Sequence, residues 1–160
     1  ASPPQVGDEA VDFTLTSLEG DEVTLSKLTA DGPVVLVVLR GYPGYQCPLC
    51  SRQVGGLVRQ KSKLADAGAK VVLLYPGEAA ELEQRANEFL RGEELPEGFQ
   101  MVLDPDYQFT NAYNLRWDAE RETAYPSTFV IGDDGVIRFA KVSMTHGGRA
   151  KPDEVLEALK

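Results

Sequence analysis

The fold of this chain is decided by the sequence Val34-Val-Leu-Val-Val-Leu39-Arg-Gly-Tyr-Pro-Gly-Tyr-Gln-Cys47-Pro-Leu-Cys50. Its first six residues are all apolar, which is typical of a β-strand covered on both faces. A loop rich in Gly and Pro follows the strand. From Cys47 onward the apolar residues recur at steps of three and four, which predicts a helix that begins at the two thiols.

The remaining elements continue this alternation of strands and helices. The sequence therefore predicts an α/β protein with a single domain over residues 1–160, a central mixed β-sheet flanked by helices and an N-terminal β-hairpin. Cys47 should lie at the carboxyl end of a central strand, where open α/β sheets bind ligands. The predicted elements are, in chain order, a hairpin over 13–25, a strand over 33–39, a helix over 47–68, a strand over 71–75, a helix over 79–91, a strand over 100–103, a short helix over 107–115, a hairpin over 128–142 and a helix from Pro152.

Composition excludes several classes of partner. The 160 residues carry a net charge of −9, whereas nucleic acids and anionic membranes bind basic surfaces, so neither is an expected partner. No apolar run approaches the roughly 20 residues of a membrane span.

The chain starts with Ala-Ser-Pro-Pro and without Met, as after signal cleavage or excision. The expected compartment is cytoplasmic or, if that end reflects signal cleavage, periplasmic or otherwise extracytoplasmic.

Thiols are the chemically informative side chains. Cys47 and Cys50 are the only two cysteines and His146 is the only histidine. A tetrahedral zinc site needs about three or four protein ligands, so metal binding is poorly supported. Chemistry carried by two thiols requires neither a metal nor an organic cofactor. Two thiols at this spacing can form a reversible disulfide, and the positive end of a helix dipole favours the thiolate. Redox chemistry is therefore the leading hypothesis, and a pair of inert core thiols is the competing interpretation.

The same residues resemble a known active loop. In the peroxiredoxins of the alkyl hydroperoxide reductase/thiol-specific antioxidant (AhpC/TSA) family, the loop reads Pro, three residues, Thr, two residues, Cys. Pro43-Gly-Tyr-Gln-Cys47-Pro-Leu-Cys50 has that spacing, with Cys47 in place of Thr. The resemblance covers nearly the whole chain and implies a thioredoxin-like fold, with Cys50 as the peroxide-reactive thiol and Cys47 as the resolving thiol. The C-x-x-C motif of thioredoxin implies the opposite order, with Cys47 as the nucleophile.

Two further positions follow from this resemblance. Pro126 precedes a predicted strand and is similar to the thioredoxin-like proline that adopts a cis peptide bond and faces the disulfide, although it is also explained as a loop terminator. Peroxiredoxins usually carry an Arg at this point, which stabilises the thiolate and polarises the peroxide. Arg40, just before the active loop, is the candidate replacement, and Arg52 is a second. A solvated surface charge is the competing interpretation of each.

Other candidate residues carry weaker signals. Tyr42, Tyr45 and Trp117 are aromatic candidates for the rim of a substrate groove, with ordinary packing as the competing interpretation. His146 lies in the loop sequence Thr145-His-Gly-Gly-Arg149, where a hydrogen-bonded loop residue is the more frequent role of a lone His.

The predicted activity is thiol-dependent oxidoreduction, with hydroperoxide reduction as the leading reaction. Cys50 would form a sulfenic acid, Cys47 would condense with it, and an external thiol donor such as a thioredoxin-type protein would reduce the disulfide. The first alternative is a protein-disulfide reductase with Cys47 as the nucleophile. The second is a copper-binding module on the same fold that uses both thiols and His146.

Overall fold

A small antiparallel hairpin stands at the N-terminal end of the protein. The computed structural model describes residues 2–160, in which β1 (Thr14–Thr16) pairs with β2 (Glu22–Thr24) and α1 (Leu25–Thr29) follows directly. Leu15 is opposite Val23 in this ladder. The predicted hairpin is confirmed, and it forms a sheet of its own beside the central one.

The central sheet is mixed, as the sequence predicts. It has the strand order β5-β4-β3-β6-β7, in which β3 is parallel to β4 and antiparallel to β6. The parallel pair β4–β5 and the antiparallel pair β6–β7 complete it on either side. Its strands are β3 (Val34–Val38), β4 (Lys70–Gly77), β5 (Phe99–Pro105), β6 (Ser127–Ile131) and β7 (Ile137–Val142). The strand that leads into the cysteines is therefore the middle strand.

The largest difference between the predicted and the observed helices lies at Gln60. One helix is predicted over 47–68, but the chain forms two that meet at Gln60, whose φ of −102° and ψ of 17° are not helical. The Gln60 N–H donates to the Leu57 carbonyl, a tighter turn than an α-helix makes. The apolar steps continue across the break, so periodicity does not reveal it. After a 3₁₀ turn at Ala79–Glu81 the other helices follow, and the full set is α2 (Pro48–Arg59), α3 (Lys61–Asp66), α4 (Leu82–Leu90), α5 (Gln108–Ala112) and α6 (Pro152–Ala158).

Both faces of the central sheet are covered, which explains why β3 is apolar throughout. Val35 and Val37 lie in the core that packs against α2, α3, α4 and α6. Val34, Leu36 and Val38 lie in the core on the opposite face, with α5 and the hairpin. Among residues 2–160, no helix has the length and apolar character that crossing a bilayer requires.

Candidate active site

The active loop runs from the end of β3, over the end of β4, to the start of α2. Gly41 has a φ of +75°, and a Cβ at this position would lie only 2.1 Å from the carbonyl oxygen of Pro76. This close passage therefore requires glycine. Cys47 is the N-cap of α2, Pro48 occupies its first turn, and Cys50 follows within that turn. The structure thus places both thiols at the helix start and at the sheet edge that the sequence predicts.

The two sulfurs lie in a buried, cation-lined site. Cys47 and Cys50 are only 2% and 1% exposed, and both thiols are free. The Arg149 guanidinium donates to Cys50 Sγ at 3.1 Å and to Cys47 Sγ at 3.6 Å. The backbone N–H of Arg40 donates to Cys50 Sγ at 3.4 Å. These donors favour negative charge on the sulfur pair.

The pair releases one proton easily and holds the other. The neighbouring Cys50 thiol and backbone N–H, together with the nearby charge of Arg149, lower the pKa of Cys47 to about 4 against the opposing effect of burial. The pKa of Cys50 is raised well above its usual value by its interaction with Cys47 and by burial. In the reduced pair, the first proton therefore leaves Cys47 more easily than Cys50.

Hydrogen-bond geometry and the pKa directions favour different sulfurs. Cys50 Sγ has the shorter contact with Arg149 and an additional backbone donor from Arg40. Its pKa is nevertheless raised, because its proton would have to leave beside a charge already present on Cys47. We place the charge on Cys47, since this residue occupies the N-cap position at the positive end of α2.

Arg40 is a buried cation beside the sulfurs, not a solvated surface charge. Its side chain is 1% exposed, forms an ion pair with Glu122 at 2.9 Å and donates to the Tyr45 hydroxyl at 2.8 Å. Its carbonyl accepts a hydrogen bond from the Thr123 hydroxyl. Arg40 also contributes to the lowered pKa of Cys47. Its Nε is buried and has no hydrogen-bond acceptor among residues 2–160, which leaves one donor free inside the site.

Glu122 joins the Arg40 side chain to His146. The carboxylate is 11% exposed and lies 2.8 Å and 3.1 Å from His146 Nε2. The His146 ring packs against Trp117, with 5.3 Å between ring centroids, and Trp117 stacks on Tyr125 at 4.9 Å. His146 thus orients the Glu122 carboxylate, and Trp117 packs against His146 without contacting the sulfurs. The sequence gives no signal for Glu122, which is 82 residues from Arg40 in the chain.

Arg149 is the second functional residue that the sequence analysis missed. It follows the His146 loop, and its Nε donates to the His146 carbonyl at 2.9 Å while Nη1 also reaches Gln53 Oε1 at 3.3 Å. In the sequence Thr145-His-Gly-Gly-Arg149, the histidine is the more conspicuous residue. A glycine pair followed by Arg, after the last strand of an α/β sheet, is the signal that could have indicated Arg149.

The two prolines of the predicted site have different outcomes. Pro43 lies in the active loop as predicted and lines a cleft together with Gly44. The prediction of a cis bond at Pro126 is wrong, because the Tyr125–Pro126 peptide bond is trans. Ser127 enters β6 at once opposite Val38, and the Pro126 carbonyl accepts a hydrogen bond from Ser143 N at 2.8 Å. The trans isomer is the one that most X–Pro bonds adopt in folded proteins.

The other candidates are divided between the site and the surface. Tyr45 is half exposed and hydrogen-bonded to Arg40, and Tyr42 stacks under the Arg85 guanidinium at 3.9 Å. Arg52 is exposed on α2 and donates to neither sulfur.

No group of three His, Cys, Asp or Glu side chains that could hold a metal ion occurs in residues 2–160. The copper hypothesis needs His146 with both thiols, but its Nε2 faces Glu122 instead.

Comparison with known proteins decides the family. The model of the AhpC/TSA family matches residues 6–140, which is most of the chain. The chain belongs to the AhpC/TSA family. The family and the thioredoxin-like fold that the sequence predicts are therefore confirmed, and this AhpC/TSA protein is a thiol-dependent oxidoreductase.

Relatives of the AhpC/TSA protein include both kinds of thiol enzyme. It is 25% identical to the thiol-disulfide oxidoreductase ResA of Halalkalibacterium halodurans over 98% of this chain and 78% of that protein. It is 29% identical to the peroxiredoxin bcp of Haemophilus influenzae over 85% of this chain and 84% of that protein. The crystal structure of peroxidoxin BcpB from Mycobacterium tuberculosis shares its fold, with a TM-score of 0.77 at 20% identity over 99% of this chain and 97% of that one.

Proposed function

We propose that this AhpC/TSA protein is a thiol peroxidase in which Cys47 attacks the hydroperoxide and Cys50 resolves the product. The observation that carries the proposal is the position of Cys47 at the N-cap of α2, with the Arg149 guanidinium 3.6 Å from its sulfur. In this setting the pKa of Cys47 is lowered to about 4, whereas that of Cys50 is raised. Only a thiolate attacks a peroxide efficiently. At neutral pH the pair offers one thiolate, on Cys47, and one thiol, on Cys50.

Burial of the sulfurs favours a small substrate. Cys47 and Cys50 are 2% and 1% exposed, so the disulfide of a folded protein would have to displace the surrounding loops to reach them. A hydroperoxide needs only a narrow entry. The buried cations suit the same substrate, since the oxygen that leaves as an alkoxide is stabilised by fixed donors. Arg40 Nε is such a donor without an acceptor among residues 2–160, and Arg149 is another beside both sulfurs.

The reaction balances with these two thiols alone. The Cys47 thiolate attacks the distal oxygen of ROOH, the O–O bond breaks, and the alkoxide takes up one proton to leave as ROH. The Cys47 sulfenic acid then condenses with the Cys50 thiol, forming the S–S bond and releasing water. An external thiol donor then supplies two electrons and regenerates the pair, as two donor thiols become one disulfide.

The sequence-based assignment, with Cys50 as the peroxide-reactive sulfur, is the second candidate. Pro43 stands at the peroxiredoxin spacing from Cys50, and Cys50 Sγ has the shorter contact with Arg149, 3.1 Å against 3.6 Å for Cys47. If peroxide binding moves the proton from Cys50 to Cys47, Cys50 becomes the nucleophile. Reduction of protein disulfides through Cys47 is the third candidate, supported by the low pKa of Cys47 and by the similarity to ResA.

Single-turnover experiments with Cys47→Ser and Cys50→Ser separate these candidates. The reduced variants are mixed with one equivalent of hydrogen peroxide, and sulfenic acid is trapped and located by mass spectrometry. We expect Cys50→Ser to consume peroxide once and to carry the label on Cys47, whereas Cys47→Ser reacts slowly. Label on Cys50 of Cys47→Ser, with slow reaction of Cys50→Ser, would support the second candidate. Insulin-disulfide reduction faster than peroxide turnover would support the third.

A further inference from the structure

A cleft of about 640 Å³ opens beside the active loop. Tyr42, Pro43 and Gly44 of the active loop form one side of it, and Glu122, the partner of Arg40, forms part of another. Its volume is that of a site for a small molecule. No step of the peroxide reaction uses this cleft.

Two arginines in the cleft have no acidic partner among residues 2–160. Arg116 stacks on Tyr107, with its guanidinium carbon 4.0 Å from the ring centroid, and its Nη1 donates only to main-chain carbonyls. Arg121 is exposed, and its side chain makes no ion pair or hydrogen bond with residues 2–160. Neither guanidinium has a carboxylate within 4.0 Å in the described chain. Both guanidinium groups are therefore available to an anionic group of a ligand.

One acidic residue in the same cleft is also unpaired. Glu78 is exposed and forms no ion pair within residues 2–160, whereas Glu81 is bound to Arg85 at 3.1 Å and Glu122 to Arg40 at 2.9 Å. The cleft therefore presents two free cations and one free anion. Tyr42, which stacks against Arg85, and Tyr107, which stacks against Arg116, add aromatic walls to the cleft. A ligand that matches this pattern carries carboxylate groups together with an ammonium group.

We propose that this cleft binds the small thiol that reduces the Cys47–Cys50 disulfide, and that this thiol is an amino acid or short peptide with free carboxylate and ammonium groups. The proposal rests on the proposed function, in which an external thiol must return two electrons. Its carboxylates bind Arg116 and Arg121, and its ammonium group binds Glu78.

Gln46 connects the cleft with the cysteine pair. It immediately precedes Cys47, accepts a hydrogen bond from the Tyr75 hydroxyl at 2.8 Å and donates to the Arg85 carbonyl at 2.9 Å. Tyr75 and Arg85 both line the cleft. A bound thiolate attacks one sulfur of the disulfide, forming a mixed disulfide and releasing the other cysteine as a thiolate. A second thiol then attacks the mixed disulfide, so that two donor thiols leave as one disulfide.

The test measures how fast four thiols reduce the oxidised protein. Protein oxidised with diamide is mixed with glutathione, N-acetylcysteine, cysteamine or 2-mercaptoethanol, and free protein thiols are counted over time. Glutathione carries both carboxylate and ammonium groups, N-acetylcysteine carries only a carboxylate, and cysteamine carries only an ammonium group. 2-Mercaptoethanol carries neither. Rates are divided by those with a small model disulfide, which removes differences in intrinsic thiol reactivity. We expect the corrected rates to be highest for glutathione and lowest for 2-mercaptoethanol.

Charge reversal in the cleft provides the decisive comparison. Arg121→Glu should slow glutathione and N-acetylcysteine by about tenfold, as for loss of one charged contact, and should leave 2-mercaptoethanol unchanged. Glu78→Gln should slow glutathione and cysteamine only. Arg138→Glu, which reverses the charge of an exposed arginine outside the cleft, is the matched control. Equal effects of Arg121→Glu on all four thiols, or none on any, would overturn the proposal. The assay starts from diamide-oxidised protein, so it gives a result even if the protein fails to reduce peroxide.

Discussion

Arg149 is the one side chain among residues 2–160 that donates to both sulfurs. Its two terminal nitrogens lie 3.1 Å from Cys50 Sγ and 3.6 Å from Cys47 Sγ. A cation in this position stabilises the thiolate whichever sulfur carries it. Because the site is buried, water screens this interaction little. The charge of Arg149 should therefore matter more to the chemistry than the charge of any arginine on the surface of α2.

We predict that Arg149→Met raises the midpoint of thiolate formation by about one to two pH units, as expected on loss of one close cation. The midpoint is measured from the ultraviolet absorbance of the thiolate in a pH titration of the reduced protein. Arg52→Met is the control, because Arg52 is exposed on α2 and donates to neither sulfur. Equal midpoints in the two variants would show that Arg149 does not act on the thiolate.

Those residues of the site that lie close to one another in the chain could be predicted from the sequence. Cys47, Cys50 and Arg40 lie within one short stretch, and the spacing of the cysteines indicates their chemistry. Arg149 lies 99 residues from Cys50 in the chain, and Glu122 lies 82 residues from Arg40. Their positions depend on how β6, β7 and the following loop pack against the active loop. A single sequence does not encode that placement in any periodic pattern.

Among the elements of the fold, the active loop depends on one glycine. Gly41 has a positive φ, and its α-carbon passes against the end of β4 so closely that a Cβ would lie 2.1 Å from the Pro76 carbonyl oxygen. The loop must therefore move away from β4 if any side chain is introduced. Such a movement would also shift Arg40, whose backbone N–H donates to Cys50 Sγ.

We predict that Gly41→Ala destabilises the protein by more than about 1 kcal/mol, the usual scale for alanine at a positive φ. It should also slow the reaction with peroxide. Unfolding in urea and single-turnover peroxide consumption measure the two effects. Gly44→Ala is the matched control, since Gly44 also has a positive φ but a Cβ added there would meet no atom within 4 Å. Equal losses in both variants would mean that backbone strain, and not the contact with Pro76, is the cause.

The elements themselves could be predicted better than their ends. The apolar run over 34–39 predicted the central strand because both faces of β3 are covered. The break at Gln60 was missed, because α2 and α3 bury the same face and keep the same apolar steps. The trans bond at Pro126 was missed for another reason: the cis prediction came from family resemblance and not from the residues around it.

For the molecule as a whole, the thiolate links redox chemistry to stability. The Cys47 thiol has an ordinary pKa of 9.0, which applies to the unfolded chain, and a pKa of about 4 in the folded protein. A lowered folded pKa means that the thiolate stabilises the fold fully above about pH 9. As the pH falls from about 9 toward about 4, the unfolded chain binds a proton that the folded protein does not. The stabilisation then declines by up to about 1.4 kcal/mol per pH unit.

We therefore predict that the reduced protein gains stability between about pH 5 and pH 8 relative to the double variant Cys47→Ser/Cys50→Ser. The measurement is the free energy of unfolding in urea at several pH values, and the quantity of interest is the difference between the two proteins. Cys50 does not oppose this trend, because its raised pKa keeps it protonated in both states below about pH 8. The oxidised protein has no thiolate, so its difference from the double variant should be independent of pH. A reduced protein that shows the same flat difference would mean that Cys47 is not a thiolate in the folded state, and the proposed order of attack would lose its physical basis.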